Sequence, residues 1–400
     1  MIYSISIENF FSIADCQKLN FKIGENAPDL PGFKVSLSDG LTRLPTAVGF
    51  FGPNASGKST ILRAIIAAMV FACNSVDWAG NVINDLFQPY RRDDWIGKPT
   101  KICIEFDGRL HEKALSSKFR YELSIAHVPN NFSNKTVIYE ALFYAPKNKY
   151  HCLFKRDGQN FSFGKEFRIT DNDPRIKENI ISSNMSTISA LAKFNHSLSI
   201  FLSHQLRNVQ TNIIGSLKIQ NNATQILSIY AQNPLCLERL NRELRRIDIG
   251  LETMHIEQTN TGPLAKFKHA GLDGFILLPE ESNGTQRFIE IFPRLHYALE
   301  IGSIAIIDEI DTDLHPTLIP ELLRWFDDPK HNPHGAQLFF TAHNPVLLDE
   351  LEKEQIFFTT KQSGQPTQVY GAVDIKGLRR EPSLMKKYLN GELGAIPHIG

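Results

Sequence analysis

Apolar Ile2, Ile5 and Ile7 alternate with Ser and Tyr at the start of the chain, which predicts a short strand running into the loop Asn9-Phe10-Phe11-Ser12. Gly24, Pro28, Pro31, Gly32, Asp39, Gly40 and Pro45 then mark turns around a short Phe33–Leu37 strand. Thr46–Phe51 drops the alternation. An apolar run bounded by Pro45 and Gly52 has the profile of a parallel strand covered on both faces. From Ser59 to Cys73 the pattern turns helical and is apolar nearly all round, so this helix belongs in the interior. Residues 100–165 read as a β-meander. Lys101–Phe106, Phe119–Ala126, Val137–Tyr144, Cys152–Lys155 and Phe161–Phe163 are β-rich, divided by turns at Asp107-Gly108, Pro129-Asn130-Asn131, Pro146-Lys147-Asn148 and Asp157-Gly158. From Pro174 to Leu251 the pattern predicts mostly helix, with Ile180, Ile188, Leu191, Phe194, Leu198, Phe201 and Leu202 roughly at helical spacing. After Gly262 strand and helix alternate again, and Ile304–Ile307 and Gln337–Thr341 look like two further buried strands.

This order splits an α/β core between the two ends of the chain. Residues 1–165 would form one part with a β subdomain, 166–261 a helical insertion, and 262–400 the other part of the core. Lys+Arg and Asp+Glu are each 43, so no overall field holds the protein to nucleic acid. Cys16, Cys73, Cys103, Cys152 and Cys236 are scattered without a C-x-x-C pair, which indicates neither a zinc site nor a disulfide framework. The longest run free of strongly polar residues, Ala64–Cys73, falls well short of the ~20 that a bilayer needs. The N-terminus carries no signal-peptide pattern. A soluble cytoplasmic protein with no membrane partner is the expectation.

Gly52-Pro53-Asn54-Ala55-Ser56-Gly57-Lys58-Ser59-Thr60 matches G-x-x-x-x-G-K-[ST] in full, after a buried strand and at the start of a helix. Gly52 and Gly57 let the backbone curl so that successive N–H groups face inward as an anion nest. The helix adds its positive dipole end. Lys58 is placed to reach the β- and γ-phosphates of ATP, and Ser59 to offer a hydroxyl to Mg²⁺.

Ile304–Ile307 ends in Asp308-Glu309. A buried strand ending this way sets one carboxylate beside the phosphate loop and the next where water attacks. Asp308 is thus a candidate metal residue, and Glu309 a candidate to orient or deprotonate the water. Phe339-Phe340-Thr341-Ala342-His343-Asn344-Pro345 is a strand with a polar stop, and His343 is positioned to donate to a γ-phosphate. Asp311 and Asp313 read as parts of the loop after the Asp-Glu strand, and His331-Asn332-Pro333-His334 as a polar turn without further metal ligands. Basic clusters at Arg91-Arg92, Arg242 with Arg245-Arg246, Arg379-Arg380 and Lys386-Lys387 read as solvated surface, with DNA contact kept open.

The segment Glu281-Ser282-Asn283-Gly284-Thr285-Gln286-Arg287 completes an order of phosphate loop, insertion, Ser-x-Gly-x-Gln, Asp-Glu strand and His strand. That order resembles the ATPase heads of the ABC superfamily, especially the SMC and OLD-like branches. The implied fold is an ABC-type P-loop ATPase head with a β-meander subdomain and an inserted helical subdomain. The resemblance implies that Ser282, Gly284 and Gln286 of one subunit cap the γ-phosphate held by another. It also implies a Mg²⁺-contacting glutamine before the meander, for which Gln88 is the candidate.

The chain is more closely similar to small phage-defence ATPases of the RloA and AbiLi type, related to the AriA subunit. Ile7–Ile13, Glu281–Phe288, Asp308–Pro316 and Tyr388–Pro397 carry this likeness. Phe11 stands where that family often has Arg or Lys, so a basic contact near the nucleotide is missing from the loop. Asn283-Gly284-Thr285 and the Leu314-His315-Pro316 ending argue against a transporter subunit.

The resemblance implies a homo-oligomeric ATPase (a dimer of heads or a larger ring) that controls a separate nuclease or toxin effector in anti-phage defence. A RecF- or SMC-like DNA-repair ATPase and a nucleotide-gated scaffold with incidental turnover remain as alternatives. Because OLD-family proteins continue into a nuclease domain, any cutting is expected from another polypeptide.

Overall fold

Neighbouring residues in the apolar strands face two different cores. The computed structural model describes residues 1–77, 85–128, 131–147, 149–169, 173, 181–214, 217–218, 223–248, 250–379 and 383–395. In it Val48, Phe50, Ile304, Ile306, Phe339 and Phe357 join one buried cluster, while Ala47, Phe51, Ala305, Ile307, Leu338, Phe340 and Phe358 join the other. A sheet covered on both sides has no polar face, which is why its strands read as unbroken apolar runs.

Along the chain, β1 (Ile2–Glu8) and β2 (Gln17–Asn20) precede β3 (Ala47–Phe51) and α1 (Lys58–Asn74). Next come β4 (Thr100–Gly108), β5 (Ser117–Val128), β6 (Asn131–Ala145), β7 (His151–Asp157) and β8 (Asn160–Phe163). Helices α2 (Thr187–Lys193) and α3 (Ser197–Arg207) lead to strand β9 (Val209–Thr211). Helices α4 (Ala223–Gln232) and α5 (Pro234–Ile247) precede the hairpin β10 (Leu251–Thr259) and β11 (Gly262–His269). The remaining elements used below are α6 (Asn283–Ile301), β12 (Ile304–Ile307), α7 (Leu318–Asp327), β13 (Gln337–Thr341), β14 (Ile356–Thr360) and β15 (Gln368–Gly371).

A six-stranded sheet runs in the order β9-β12-β13-β3-β14-β15, parallel except for the β14–β15 pair. Strand β13 therefore lies between β3 and β12. The phosphate loop, the Asp-Glu pair and the His343 turn follow the C-terminal ends of adjacent strands, where open α/β sheets bind ligands. The second large sheet is antiparallel, in the order β8-β7-β6-β5-β4-β1-β2, so the expected meander is extended by the first two strands. Helix α1 touches β4 and β13, one from each sheet, and is buried except at Ser59, Arg63, Val70 and Asn74. The architecture is an α/β P-loop head with an antiparallel β subdomain and inserted helices. No helix among the described residues is long and apolar enough to cross a membrane.

Several expectations need correction. Gly108 stays in β4, so that turn comes later than Asp107-Gly108 suggests. Leu37 lies beyond the Phe33–Val35 strand and is 73% exposed. The helical pattern from residue 174 breaks at Phe194–His196, where Asn195 takes φ 59° and the His196 side chain caps α3, leaving Phe194 exposed. β9 then adds an edge to the parallel sheet, and β10 begins at Leu251, before the predicted return of strand. β9 has only three residues, and β10 buries only Leu251 and Met254 of its nine, so neither shows the alternation that marks a strand. Pro174, Ile180, Arg380, Ile396 and Pro397, and Pro129, Asn130 and Asn148 of two expected turns, lie outside the described residues.

One buried polar knot ties the β subdomain to the inserted helices. Glu140 accepts from Tyr121 Oη at 2.8 Å, Ser186 Oγ at 2.8 Å, Thr187 N at 2.8 Å and Thr187 Oγ1 at 2.7 Å. Arg156, also fully buried, donates to the carbonyls of Gly158, Ser182 and Met185 at 2.9, 3.1 and 2.7 Å, with Glu140 3.9 Å away. Removing the carboxylate leaves a buried cation and several donors unmatched. Glu140→Ala is therefore expected to cost about 3–5 kcal/mol in urea unfolding, and Glu140→Gln less.

Candidate nucleotide-binding site

Between β3 and α1 the chain curls through conformations that few residues adopt: φ is 150° at Gly52, 61° at Ala55 and 105° at Gly57. A Cβ on Gly52 would lie 2.3 Å from Thr359 O, and one on Gly57 2.4 Å from Thr367 Oγ1, so both positions need glycine for space as well as for φ. The curl is braced from outside. Ser56 Oγ pairs with Thr359 Oγ1 at 2.6 Å, Thr367 Oγ1 donates to Ser56 O at 2.8 Å, and Ser12 Oγ meets Thr60 Oγ1 at 2.9 Å. Lys58 turns its ammonium onto Gly52 O at 2.7 Å and Pro53 O at 3.1 Å, with His343 Nδ1 3.4 Å away. Burial pushes the Lys58 pKa down, against the pull of Asp308, Asp311 and Glu309.

Asp308 sits at the junction of three strand ends. Its Oδ1 accepts from Ser59 Oγ at 2.8 Å and from Thr341 Oγ1 at 2.7 Å. Asn212, just past β9, brackets the same residue's main chain: Asp308 N donates to Asn212 Oδ1 at 2.8 Å and Asn212 Nδ2 donates to Asp308 O at 3.0 Å. Glu309 takes φ 52°, a conformation that costs a non-glycine residue about 1–3 kcal/mol unless its surroundings hold it. Here Glu309 N donates to Thr341 Oγ1 at 2.7 Å, and Arg287 Nη2 holds the carbonyls of Asp308 and Glu309 at 3.3 and 3.2 Å. Asp311 Oδ2 accepts from the backbone N–H groups of His343 and Asn344 at 2.7 and 2.6 Å, fixing the turn that presents His343.

A cleft of about 960 Å³ opens over these groups, lined by Asn54–Thr60 together with Phe11, Ser12, Arg63, Gln88, Arg91, Glu309, His343 and Lys361. Four of its walls carry a basic side chain (Lys58, Arg63, Arg91 and Lys361), which suits a polyanion. Gln88 reaches the cleft because Asn9 and Phe11 anchor its loop: Phe11 N donates to Gln88 O at 2.7 Å and Tyr90 N to Asn9 Oδ1 at 2.9 Å. No three His, Cys, Asp or Glu side chains gather into a metal cluster among the described residues. One carboxylate and one hydroxyl, Asp308 and Ser59, nevertheless fit Mg²⁺, which draws its other ligands from water and phosphate oxygens.

Ser282, Gly284 and Gln286 do not line this cleft. Ser282 Oγ caps α6 by accepting from Thr285 N at 3.1 Å, and Gln286 Nε2 donates to Glu281 O at 2.8 Å. A Cβ on Gly284 would come 2.9 Å from Asp313 O, so this helix start packs closely on the loop after Glu309. Sequence reasoning missed Asn212, Thr341, Thr359 and Thr367, which carry no motif. It also passed over Arg287, although that residue ends the quoted signature segment.

A family model described as "AAA domain, putative AbiEii toxin, Type IV TA system" matches residues 48–349. The chain belongs to this AAA family. Membership makes it a P-loop nucleotide-binding protein of an ATPase class, in agreement with the loop geometry. The matched span runs from β3 past His343 and takes in every element of the site except the loop at Phe11, Thr359 and the residues beyond it. Among solved structures, the SMC head domain from Thermotoga maritima is 15% identical with a TM-score of 0.42, covering 92% of this chain and 98% of that one. An Smc head with an extended coiled coil bound to the C-terminal domain of ScpA, derived from Pyrococcus furiosus, is 12% identical with a TM-score of 0.45, covering 98% of each chain. An SmcHead bound to the C-winged helix domain of ScpA is 12% identical with a TM-score of 0.45, covering 97% of this chain and 99% of that one. No curated protein matches the sequence.

Gly57→Ala in this AAA family member forces a side chain into left-handed backbone against Thr367. The expected outcome is loss of nucleotide binding in a titration, with a stability cost of only about 1–3 kcal/mol in thermal unfolding.

Proposed function

We propose that the protein is an ATP-binding and ATP-hydrolysing head that works in pairs, with ATP held between the phosphate loop of one copy and the Ser282–Gln286 turn of another. The observation that carries this reading is the separation of the two half-sites. The cleft that suits a triphosphate lacks the signature residues, which sit instead at the start of α6. Arg287 supports the same reading, because it ties that helix start to the Asp308–Glu309 main chain within one copy.

In this mechanism the phosphate-loop N–H groups and Lys58 hold the β- and γ-phosphates. Ser59 and Asp308, with Gln88 nearby, would hold Mg²⁺, which when bound neutralises phosphate charge. Glu309 orients the attacking water and takes its proton. His343 donates to the γ-phosphate and so distinguishes triphosphate from diphosphate. ATP closes the pair, and hydrolysis reopens it.

Pair closure then controls a separate effector, a nuclease or toxin, in defence against phage. The family's description as a toxin of type IV toxin–antitoxin systems supports such a setting of bacterial conflict. One of the four basic clusters, that at Arg242–Arg246, is met on the surface by acidic and carbonyl groups of the same chain, which lowers its value to a DNA-repair ATPase. Arg242 lies 3.6 Å from Glu238, Arg246 pairs with Glu243 and Glu321 at 2.5 and 2.8 Å, and Arg245 donates to Glu252 O at 3.2 Å.

Glu309→Gln is expected to lower turnover roughly 10²–10⁴-fold while keeping Mg·ATP binding, so that paired heads accumulate in sedimentation. Should effector restraint persist unchanged without turnover, the protein is a nucleotide-gated scaffold. If the ATP-loaded variant sediments as a single copy, pairing is wrong. Lys58→Ala heads mixed with Gly284→Asp heads are expected to regain ATPase activity that neither shows alone, because one intact composite site can then form.

A further inference from the structure

Helix α1 is buried except at Ser59, Arg63, Val70 and Asn74. Ser59 and Arg63 are four residues apart and share one helix face, and both line the nucleotide cleft. Their surroundings differ sharply. Ser59 bonds Asp308, whereas Arg63 makes no hydrogen bond or ion pair among the described residues, and its Nε is shut from solvent without a partner. Other enclosed arginines spend at least their terminal donors: Arg156 on three carbonyls, Arg294 on Thr211 O and Glu290 O at 2.7 and 2.5 Å, and Arg287, whose Nε is likewise unpaired, on Glu290 and two carbonyls. What Arg63 does have is an aromatic wall, its guanidinium carbon standing 5.5 Å from the centre of the Phe11 ring.

Only the Nε of Arg63 is both enclosed and unpaired, while the head opens onto the cleft with its terminal donors unspent and free to meet an anion there. Burial pushes the Arg63 pKa down, and the charge of Asp308 pulls it back up, so the group feels the metal-side carboxylate. Side chains on a helix lean toward its N-terminus, which brings the Arg63 head back beside Ser59. Resting on the reading of the cleft as an ATP site, we propose that Arg63 donates to the terminal phosphate of the bound nucleoside triphosphate, with Phe11 as the flat support that holds its fork in place. Phe11 takes φ 49° and is fixed through its N–H to Gln88 O, so the support is itself rigid.

The test titrates ATP and ADP, each with Mg²⁺, onto the 400-residue chain and its variants. Arg63→Gln is expected to weaken ATP about ten-fold or more, the worth of a charge-assisted hydrogen bond, while ADP stays within about two-fold. Arg63→Lys keeps the charge without the planar fork and should fall between, and it serves as the probe should the Gln variant fold poorly. Phe11→Leu should give a smaller loss of the same ATP-over-ADP preference. Equal loss for both nucleotides, or no loss for either, overturns the assignment. Failure of the underlying reading shows elsewhere: the unsubstituted chain would bind neither nucleotide, and the assignment would fall with it.

Discussion

One carboxylate oxygen organises this head. Asp308 Oδ1 receives hydroxyls from α1 and β13 at once, while Asn212 and Arg287 grip the surrounding main chain from β9 and α6. Four elements far apart in sequence therefore converge on a single peptide. Loss of the carboxylate would free Ser59 and Thr341 together, which loosens one of the two holds on the unusual backbone of Glu309 and leaves the other to Arg287. Geometry at the Glu309 carboxylate is thus partly inherited from its neighbour.

The parts of the site imposed by chemistry were legible in the sequence. A backbone that must wrap phosphate needs Gly52 and Gly57, and an ammonium and a hydroxyl must follow, so residue type and spacing announce the loop. The buried parallel strands were legible for a different reason, since a sheet with two covered faces leaves an uninterrupted apolar signature. Asn212 and Thr367 were not legible. Each acts by a single hydrogen bond or pair of bonds to distant backbone or side chains, and such partners are set by tertiary placement. Between residues 181 and 251 the fold changes direction often: Asn195 breaks one helix from the next, and three residues of β9 suffice to extend the sheet. Those turns follow local hydrogen bonds, and hydrophobic periodicity does not record them.

Family membership and site geometry bear on different questions. The matched model establishes an AAA-family nucleotide-binding chain. The geometry adds that the signature turn, the Asp-Glu pair and the His343 turn form one connected network through Arg287, Thr341 and Asp311. The start of α6 thus reaches the Asp308–Glu309 peptide through one guanidinium.

The strand order also bears on how the chain can be made. Strand β3 finds both of its neighbours, β13 and β14, only within residues 337–360. A ribosome adding ~5–20 residues per second would need roughly a quarter of a minute to a minute to supply them after Phe51 emerges. During that interval Ala47–Phe51, among the most apolar segments of the protein, has no sheet to join. Chaperone shelter, or provisional packing of α1 against the already complete antiparallel layer, must bridge the gap, and nascent heads crowded together on one message would be vulnerable to mispairing at this strand.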